Sequence, residues 1–194
     1  MNFHDLIEQN FGNIPTSQQR EVFLLLQKFV LSSNVDSCFV LKGYAGTGKT
    51  TLSSALVKVL PQVKLKSVLL APTGRAAKVI SNYSGRKAFT IHKKIYRKKE
   101  AASPDMNFVL GDNLMENTLF IVDEASMIPD EMTESKLWEN GSLLDDLMTF
   151  IDISMTNKHF IIFIFRICCV PIRIKRRVQP SRITHFFQII FSVS

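Results

Sequence analysis

A glycine-rich stretch at residues 43–50, with the sequence GYAGTGKT, constrains the fold of this chain more than any other feature. It fits the pattern of Gly, four residues, Gly, Lys and Ser or Thr, in which glycines permit a tight turn and backbone N–H groups converge on one phosphate group. The apolar residues 38–41 before it predict a buried strand, and the amphipathic residues 49–59 after it predict a helix that ends before Pro61. Strand, loop and helix therefore follow in the order that a phosphate-binding loop needs.

This loop predicts a site for ATP and Mg²⁺. The ammonium group of Lys49 would reach the β and γ phosphates, and the hydroxyl group of Thr50 would hold the metal. A helix that begins at the end of the loop would direct the positive end of its dipole to the same site. The residues predicted to bind the nucleotide here are Gly43, Ala45, Gly46, Thr47, Gly48, Lys49, Thr50 and Thr51.

A continuous apolar run at residues 118–122 ends in two adjacent acids, Asp123 and Glu124. The run predicts a buried central strand with both carboxylates at its carboxyl end. Asp123 would hold Mg²⁺ opposite Thr50, and Glu124 would orient and deprotonate the attacking water. Together with Lys49, the two acids form the predicted catalytic set. The alternative is a polar turn, or a pair of charges at the N-terminus of a helix.

Another predicted strand, at residues 67–71, runs into Pro72, Thr73, Gly74 and Arg75. In open parallel sheets, the turn from a strand into a helix is a place for binding groups. Backbone N–H groups, the Thr73 hydroxyl and the Arg75 guanidinium would suit the phosphate backbone of a nucleic acid. An ordinary strand-to-helix turn with a solvated arginine is the alternative.

Residues 86–99 mix cationic side chains with aromatic rings. Cations neutralise phosphates and rings stack on bases, so this mixture suits a single-stranded nucleic acid. The alternative is a solvated helical face with Ile91 and Ile95 buried. The cations are Arg86, Lys87, Lys93, Lys94, Arg97, Lys98 and Lys99, and the rings are those of Phe89, His92 and Tyr96.

Weaker patterns predict helices at residues 2–9, 20–31 and 142–150, and a short extended piece at residues 108–110. Thr16 and Gln19 precede the second of these helices with the spacing of a capping box, which by itself explains both residues. The alternative is that Gln19 contacts the edge of an adenine base.

Charge divides the chain near residue 150. Residues 151–194 hold seven of the 24 Lys and Arg residues but one of the 17 Asp and Glu residues. We therefore predict one domain at residues 1–150 and an atypical basic and apolar tail at residues 151–194. The favoured hypothesis is that the tail is read in a shifted frame or replaces the original ending, and the alternative is a true basic tail that binds nucleic acid or an anionic surface. Residues 160–165 would still suit one added strand.

Targeting signals and membrane segments are not evident. No apolar run follows a basic start, and three cysteines do not form a disulfide framework. The apolar run at residues 160–172 is interrupted by Arg166 and is shorter than the roughly 20 residues that span a bilayer. The sequence therefore predicts a cytoplasmic protein without a membrane partner.

Four motifs together resemble one family. Residues 43–50, 71–78 (APTGRAAK), 90–92 (TIH) and 121–127 (IVDEASM) are similar to the N-terminal motor domain of superfamily 1 DNA helicases of the RecD-like group, which move 5′ to 3′. The similar segments cover about residues 10–150. The resemblance implies an α/β fold: a RecA-like P-loop NTPase domain with a mainly parallel sheet flanked by helices. It also implies ATP hydrolysis coupled to movement along single-stranded DNA.

The same resemblance assigns roles to particular residues. It implies that Gln19 reads adenine, with its neighbour Gln18 as a possible misassignment, and that Ser126 lies near the coupling between the nucleotide and DNA sites. The residues implied to contact single-stranded DNA are Pro72, Thr73, Gly74, Arg75, Thr90 and His92.

The chain departs from this family after residue 150. A member should present another strand that ends in a Gly-Asp-x-x-Gln-Leu-Pro-Pro type motif, whose glutamine senses the γ phosphate, and no such motif follows. The second motor domain that closes over the nucleotide is also missing, so hydrolysis by this chain alone is expected to be slow or absent. The alternatives are a nucleotide-binding or DNA-binding module without turnover and a small P-loop kinase.

Overall fold

A computed structural model describes residues 2–32, 37–98, 108–128, 142–152, 159–166 and 185–191. The helices are α1 (Phe3–Phe11), α2 (Ser17–Leu31), α3 (Lys49–Val59), α4 (Gly74–Ser84), α5 (Ile91–Ile95) and α6 (Leu143–Asp152). The strands are β1 (Ser37–Gly43), β2 (Lys66–Ala71), β3 (Ala88–Thr90), β4 (Tyr96–Lys98), β5 (Phe108–Leu110), β6 (Thr118–Val122), β7 (His159–Arg166) and β8 (His185–Phe191). Lys99, Cys168, Cys169 and the basic residues 173–177 lie outside the described residues.

Six strands form one sheet in the order β3-β2-β6-β7-β1-β8. Every described pair of neighbours in it is parallel, from β2 with β3 to β1 with β8. Parallel strands need crossover connections, and here these carry helices on both faces of the sheet. The arrangement confirms the predicted α/β fold, a RecA-like P-loop domain with a parallel sheet flanked by helices.

Alternate side chains of the strands point to opposite faces of the sheet, and each face packs against helices in a hydrophobic core of its own. On one face Phe39, Leu41 and Ile121 pack with residues of α1, α2 and α3, and on the other face Val40 and Phe120 pack with residues of α5 and α6. Strands covered on both sides are apolar throughout, as the fully buried β6 shows. The continuous apolar run at residues 118–122 therefore predicted a central strand correctly.

Local sequence signals place the helix starts. The Thr16 hydroxyl accepts a hydrogen bond from the Gln19 N–H group, and the Gln19 side chain accepts one from the Thr16 N–H group, so the predicted capping box forms and α2 begins at Ser17. The helix α3 begins where the phosphate loop ends. Gly48 is its N-cap and has a left-handed backbone conformation. The predicted helices at residues 2–9, 49–59 and 142–150 correspond to α1, α3 and α6.

Two strands come from the segment predicted as a tail. β7 contains the predicted strand at residues 160–165 and lies between β6 and β1, while β8 lies on the outer side of β1. The division of the chain at residue 150 and the shifted-frame hypothesis stay predictions. The extended piece predicted at residues 108–110 is β5, whereas its antiparallel partner β4, in the basic segment at residues 86–99, was not predicted. Among the described residues, no helix is both long enough and apolar enough to cross a membrane.

Candidate functional site

The predicted site residues of four strands meet at one edge of the sheet. β1 ends at Gly43, β6 ends one residue before Asp123, β2 ends just before Pro72, and β3 ends at Thr90. Parallel strands point their carboxyl ends toward the same edge, where open α/β sheets bind ligands. The strand order puts β1 and β6 on either side of β7, and puts β2 and β3 beyond β6.

The phosphate loop depends on two glycines with positive φ angles. Gly46 has φ of 81° and Gly48 has φ of 83°, a region that side-chain-bearing residues rarely adopt. At Gly48 there is a second constraint, because a β-carbon there would lie 2.9 Å from Nε2 of Gln19 and 3.4 Å from Cζ of Phe11. The helix α3 starts directly after this turn, as predicted.

Lys49 is held against the loop by three oxygen atoms. Its ammonium group donates to the carbonyl oxygens of Gly43 at 2.8 Å and Tyr44 at 2.5 Å, and to the Thr47 hydroxyl at 3.3 Å. The Thr47 hydroxyl in turn donates to the Tyr44 carbonyl at 2.9 Å. These hydrogen bonds hold the long Lys49 side chain against the loop. The charged oxygens of a phosphate would accept stronger hydrogen bonds from its ammonium group than the carbonyl oxygens do.

Asp123 is a buried acid at the end of the central strand. It is 7% exposed, its N–H group donates to the Leu70 carbonyl at 2.9 Å, and its Oδ1 accepts from the Glu124 N–H group at 2.9 Å. Burial raises the pKa of this carboxyl group, the Glu124 N–H bond lowers it, the Glu124 charge raises it, and the Lys49 charge lowers it. Lys49 follows the loop after β1 and Asp123 follows β6 at the same edge of the sheet, although 74 positions separate them in the sequence.

Glu124 follows in an unusual backbone conformation. Its φ angle is 50°, in the left-handed region that non-glycine residues seldom occupy, and it caps a short 3₁₀ helix at Ala125–Met127. This turn redirects the chain directly after the strand, so Asp123 is buried while Glu124 is partly exposed. Ser126, predicted to lie near the coupling region, is in the 3₁₀ helix and partly exposed.

Gln19 lies against the phosphate loop, and its contact with adenine stays a prediction. Its Nε2 donates to the Thr47 carbonyl at 3.1 Å, while its Oε1 accepts from the Thr16 N–H group at 2.9 Å. Gln18 is exposed on the first turn of α2. The capping role and the position beside the loop are therefore both present in one side chain.

The two threonines predicted to bind DNA cap their own helices. The Thr73 hydroxyl accepts from the Ala76 N–H group at 3.2 Å at the start of α4, and the Thr90 hydroxyl accepts from the Lys93 N–H group at 3.2 Å at the start of α5. Arg75 is exposed beside Thr73, and Pro72 and Gly74 complete the turn. Both turns lie at the carboxyl edge of adjacent strands, so the structure brings the two predicted DNA segments together.

The basic segment surrounds an aromatic ring with cations. The ammonium groups of Lys87 and Lys94 lie 5.2 Å and 5.7 Å from the centre of the Phe89 ring, and the rings of His92 and Tyr96 are 5.9 Å apart. Burial lowers the pKa values of His92 and Lys94, and the charge of Arg97 also lowers that of Lys94. Ile91 and Ile95 are buried, so the alternative prediction for this segment also describes its helix correctly.

One buried polar contact beside the site was not predicted. The hydroxyl group of Tyr96 donates to Oδ2 of Asp146, a fully buried acid of α6, which ties the basic segment at residues 86–99 to α6 on the same face of the sheet. Tyr96 was predicted as a possible stacking ring, but it is 6% exposed. The sequence signal for such a pair is an acid on the apolar face of α6. That acid can be matched to its partner only once the fold is known.

Residues 17–137 match a family profile described as an AAA domain. The chain belongs to the AAA domain family. This AAA domain is 34% identical over 99 residues to the ATP-dependent RecD2 DNA helicase of Deinococcus radiodurans, a match that covers 50% of the chain and 13% of the relative. It is 35% identical over 78 residues to the ATP-dependent DNA helicase dda of Enterobacteria phage T4, covering 40% of the chain and 17% of the relative.

These comparisons confirm the predicted resemblance to the N-terminal motor domain of RecD-like superfamily 1 helicases. The matched residues 17–137 include the phosphate loop, both predicted DNA turns, and Asp123 with Glu124. The chain spans 13% and 17% of the lengths of the two relatives.

Proposed function

We propose that this AAA domain binds Mg·ATP and serves as an ATP-hydrolysing motor domain of a RecD-like DNA helicase. The observation that carries the proposal is that Lys49, at the end of the phosphate loop after β1, and Asp123, directly after β6, both follow the carboxyl ends of parallel strands at one edge of the sheet, on either side of β7. A cation at a phosphate loop and a carboxylate at the same edge of the sheet are groups that phosphoryl transfer needs.

The donor set of the loop fits a triphosphate. Gly46 and Gly48 have the backbone conformations of a phosphate-binding turn, and α3 begins where the turn ends. In the proposed complex, the Lys49 ammonium leaves the carbonyl oxygens of Gly43 and Tyr44 and contacts the β and γ phosphates. The backbone N–H groups from Ala45 to Thr51 contact the same phosphates.

The predicted metal ligands are few, which suits magnesium held together with a nucleotide. Among the described residues, no group of three or more His, Cys, Asp or Glu side chains is placed to hold a metal ion. Mg²⁺ commonly takes one or two protein oxygens and completes its shell with phosphate oxygens and water. Thr50 and Asp123 would supply the protein oxygens, and the bound metal would neutralise charge on the phosphates.

Hydrolysis requires an activated water molecule near the γ phosphate. In our proposal Glu124 accepts the proton of that water, because it is the more exposed of the two adjacent acids and lies in the turn just beyond the strand. Asp123 stays with the metal. Rapid turnover also needs a second motor domain that closes over the nucleotide and excludes water, so turnover by this chain alone is slow.

Single-stranded DNA is the proposed second ligand. The turns at Pro72–Arg75 and at Thr90 and His92 lie on adjacent strands at the same edge as the nucleotide site. The exposed cations Arg75, Lys93, Arg97 and Lys98 would neutralise phosphates along this path. This arrangement puts the DNA path beside β6, whose end carries the predicted catalytic acids.

The proposal is tested by measuring phosphate release from Mg·ATP by the purified chain, with and without single-stranded DNA. The matched variants are Lys49→Ala in the loop and Lys58→Ala at an exposed position of the same helix. We expect slow turnover that DNA accelerates, that Lys49→Ala abolishes, and that Lys58→Ala leaves unchanged. Nucleotide binding without any turnover would indicate a binding module instead, and turnover that persists in Lys49→Ala would refute the proposed site.

A further inference from the structure

The side chain of Gln19 connects the start of α2 with the phosphate loop. Its Oε1 accepts from the Thr16 N–H group, which closes the first turn of α2, and its Nε2 donates to the Thr47 carbonyl in the phosphate loop. The amide oxygen can accept two hydrogen bonds and the amide nitrogen can donate two, and these two contacts use one of each. Gln19 therefore ties the loop to α2 without using all of its hydrogen-bonding capacity.

The hydrogen bond to the Thr47 carbonyl also affects the Gly48 N–H group, which belongs to the same peptide unit. A trans peptide is planar, so the Thr47 carbonyl and the Gly48 N–H group point in opposite directions. By holding the carbonyl, the Gln19 amide fixes the direction of the Gly48 N–H group. In a loop of this pattern, converging N–H groups are the ligands of the phosphates.

Packing also brings the end of the loop close to α1 and α2. A β-carbon at Gly48 would lie 3.4 Å from Cζ of Phe11, and Phe11 is itself held by an edge-to-face contact with Phe23 of α2, with ring centres 5.3 Å apart. Phe11 and Phe23 are both buried. The end of the loop thus lies close to buried aromatic side chains of α1 and α2, and Gln19 is the polar side chain beside them.

We propose that Gln19 is a positioning residue for the triphosphate, acting through the Thr47–Gly48 peptide and independently of the base. This inference rests on the proposed nucleotide site and adds a role that adenine recognition does not supply. If the peptide unit is freed, it can rotate and turn a carbonyl oxygen toward the phosphates. Every ligand with a triphosphate group then loses affinity, whatever base it carries.

The test compares three ligands and two variants. Gln19→Met keeps the length of the side chain and adds no charge, but it lacks both the amide donor to Thr47 and the acceptor for Thr16. Thr16→Ala removes the other half of the capping box and leaves the bond from Gln19 to the Thr47 carbonyl in place. Affinities for Mg²⁺ complexes of ATP, GTP and inorganic tripolyphosphate are measured by calorimetry, at a temperature where melting curves show both variants folded.

We expect Gln19→Met to weaken GTP and tripolyphosphate by about threefold to tenfold, which corresponds to one lost hydrogen bond, and to weaken ATP by at least as much. The loss shared by all three ligands measures the positioning role, and any further loss for ATP measures recognition of the base. Thr16→Ala should lower the melting temperature as Gln19→Met does, yet bind all three ligands as tightly as the parent chain.

Three results would overturn the inference. Loss of affinity for ATP alone would make Gln19 a base-reading residue only, and unchanged affinities would make its bond to the loop irrelevant to binding. Equal losses in Thr16→Ala would mean that Gln19 acts through the helix cap. If the parent chain binds none of the ligands, the proposed nucleotide site fails as well; if the parent binds them and Lys49→Ala does not, the site stands and Gln19 is judged alone.

Discussion

The two halves of the carboxyl edge of the sheet are built differently. On the half formed by β1 and β6, functional side chains are held by contacts between elements: Lys49 bonds to three loop oxygens, and Gln19 reaches the loop from α2. On the half formed by β2 and β3, Thr73 and Thr90 bond to N–H groups three residues further along their own helices. The first half is fixed by tertiary structure and the second by local capping.

The side chains of the first half are thus held in one arrangement by the fold, whereas the exposed side chains of the second half can adjust their positions. A phosphate loop must direct several N–H groups at one ligand, so it needs support from outside the loop. In the proposed function the second half follows a DNA strand, and exposed cations such as Arg75, Lys93 and Arg97 would adjust to its successive phosphates. The predictions below probe whether substitutions on the two halves have correspondingly different consequences.

The largest effect is expected from Gly48→Ala. The substitution places a methyl group at a φ angle of 83° and 2.9 Å from the Gln19 amide nitrogen, so strain and overlap act together. Nucleotide affinity should fall on the order of 100-fold, as measured by calorimetry with Mg·ATP.

Gly46→Ala is the matched control for that prediction. Gly46 has nearly the same φ angle, 81°, but nothing lies within 4 Å of an added β-carbon. Backbone strain alone should reduce affinity about tenfold. Equal losses in the two variants would show that the contact between Gly48 and Gln19 is unimportant.

Thr73→Ala should reveal the local role of the second half. Loss of the cap on α4 should lower the free energy of unfolding by about 1 kcal/mol, measured by urea denaturation. Thr73→Ser keeps the acceptor oxygen and should retain most of the stability. If Thr73→Ala weakened DNA binding in the fully folded protein while Thr73→Ser did not, the hydroxyl group would have a direct role as well.

Arg75→Ala should have the opposite pattern. Arg75 is exposed, so its removal should leave the stability nearly unchanged. Binding of single-stranded DNA should weaken in a sequence-independent way, and the slope of log affinity against log salt concentration should become shallower by about one ion. Fluorescence anisotropy at several salt concentrations measures both, and an unchanged slope would remove Arg75 from the DNA path.

A smaller effect concerns the buried acid of the first half. Burial raises the pKa of Asp123, so the fold favours its neutral form more than the unfolded chain does, and the resulting contribution to stability is lost as the pH rises through the raised pKa. In metal-free buffer at neutral pH, Asp123→Asn should therefore melt at a higher temperature than the parent chain, and the difference should shrink toward pH 4. A variant that melts lower at neutral pH would contradict this view of Asp123.

The sequence predicted the first half of the edge well because its signals are local. The spacing within residues 43–50 and the apolar run that ends at Asp123 each specify a strand and the group that follows it. Features that depend on distant partners were not predicted. The Tyr96 bond to Asp146 joins residues 50 positions apart, and the place of β7 between β6 and β1 is set by pairing with two strands.

Gln19 shows the same limit within a single residue. The capping box was predictable from the spacing of Thr16 and Gln19, since both partners lie within one helical turn. The bond to the Thr47 carbonyl spans 28 positions and depends on how α2 packs against the loop. No short pattern in the sequence encodes that distance.

The central claim is that the first half of the edge is a nucleotide site built around Lys49 and Asp123. The most direct test is calorimetric titration of the chain with Mg·ATP, beside Lys49→Ala and the exposed-lysine control Lys58→Ala. We predict saturable binding by the chain and by Lys58→Ala, with loss of at least about 3 kcal/mol of binding free energy in Lys49→Ala, since a charge-assisted contact to phosphate is removed from a partly buried site. Equal binding by all three proteins, or no binding by any of them, would contradict the claim.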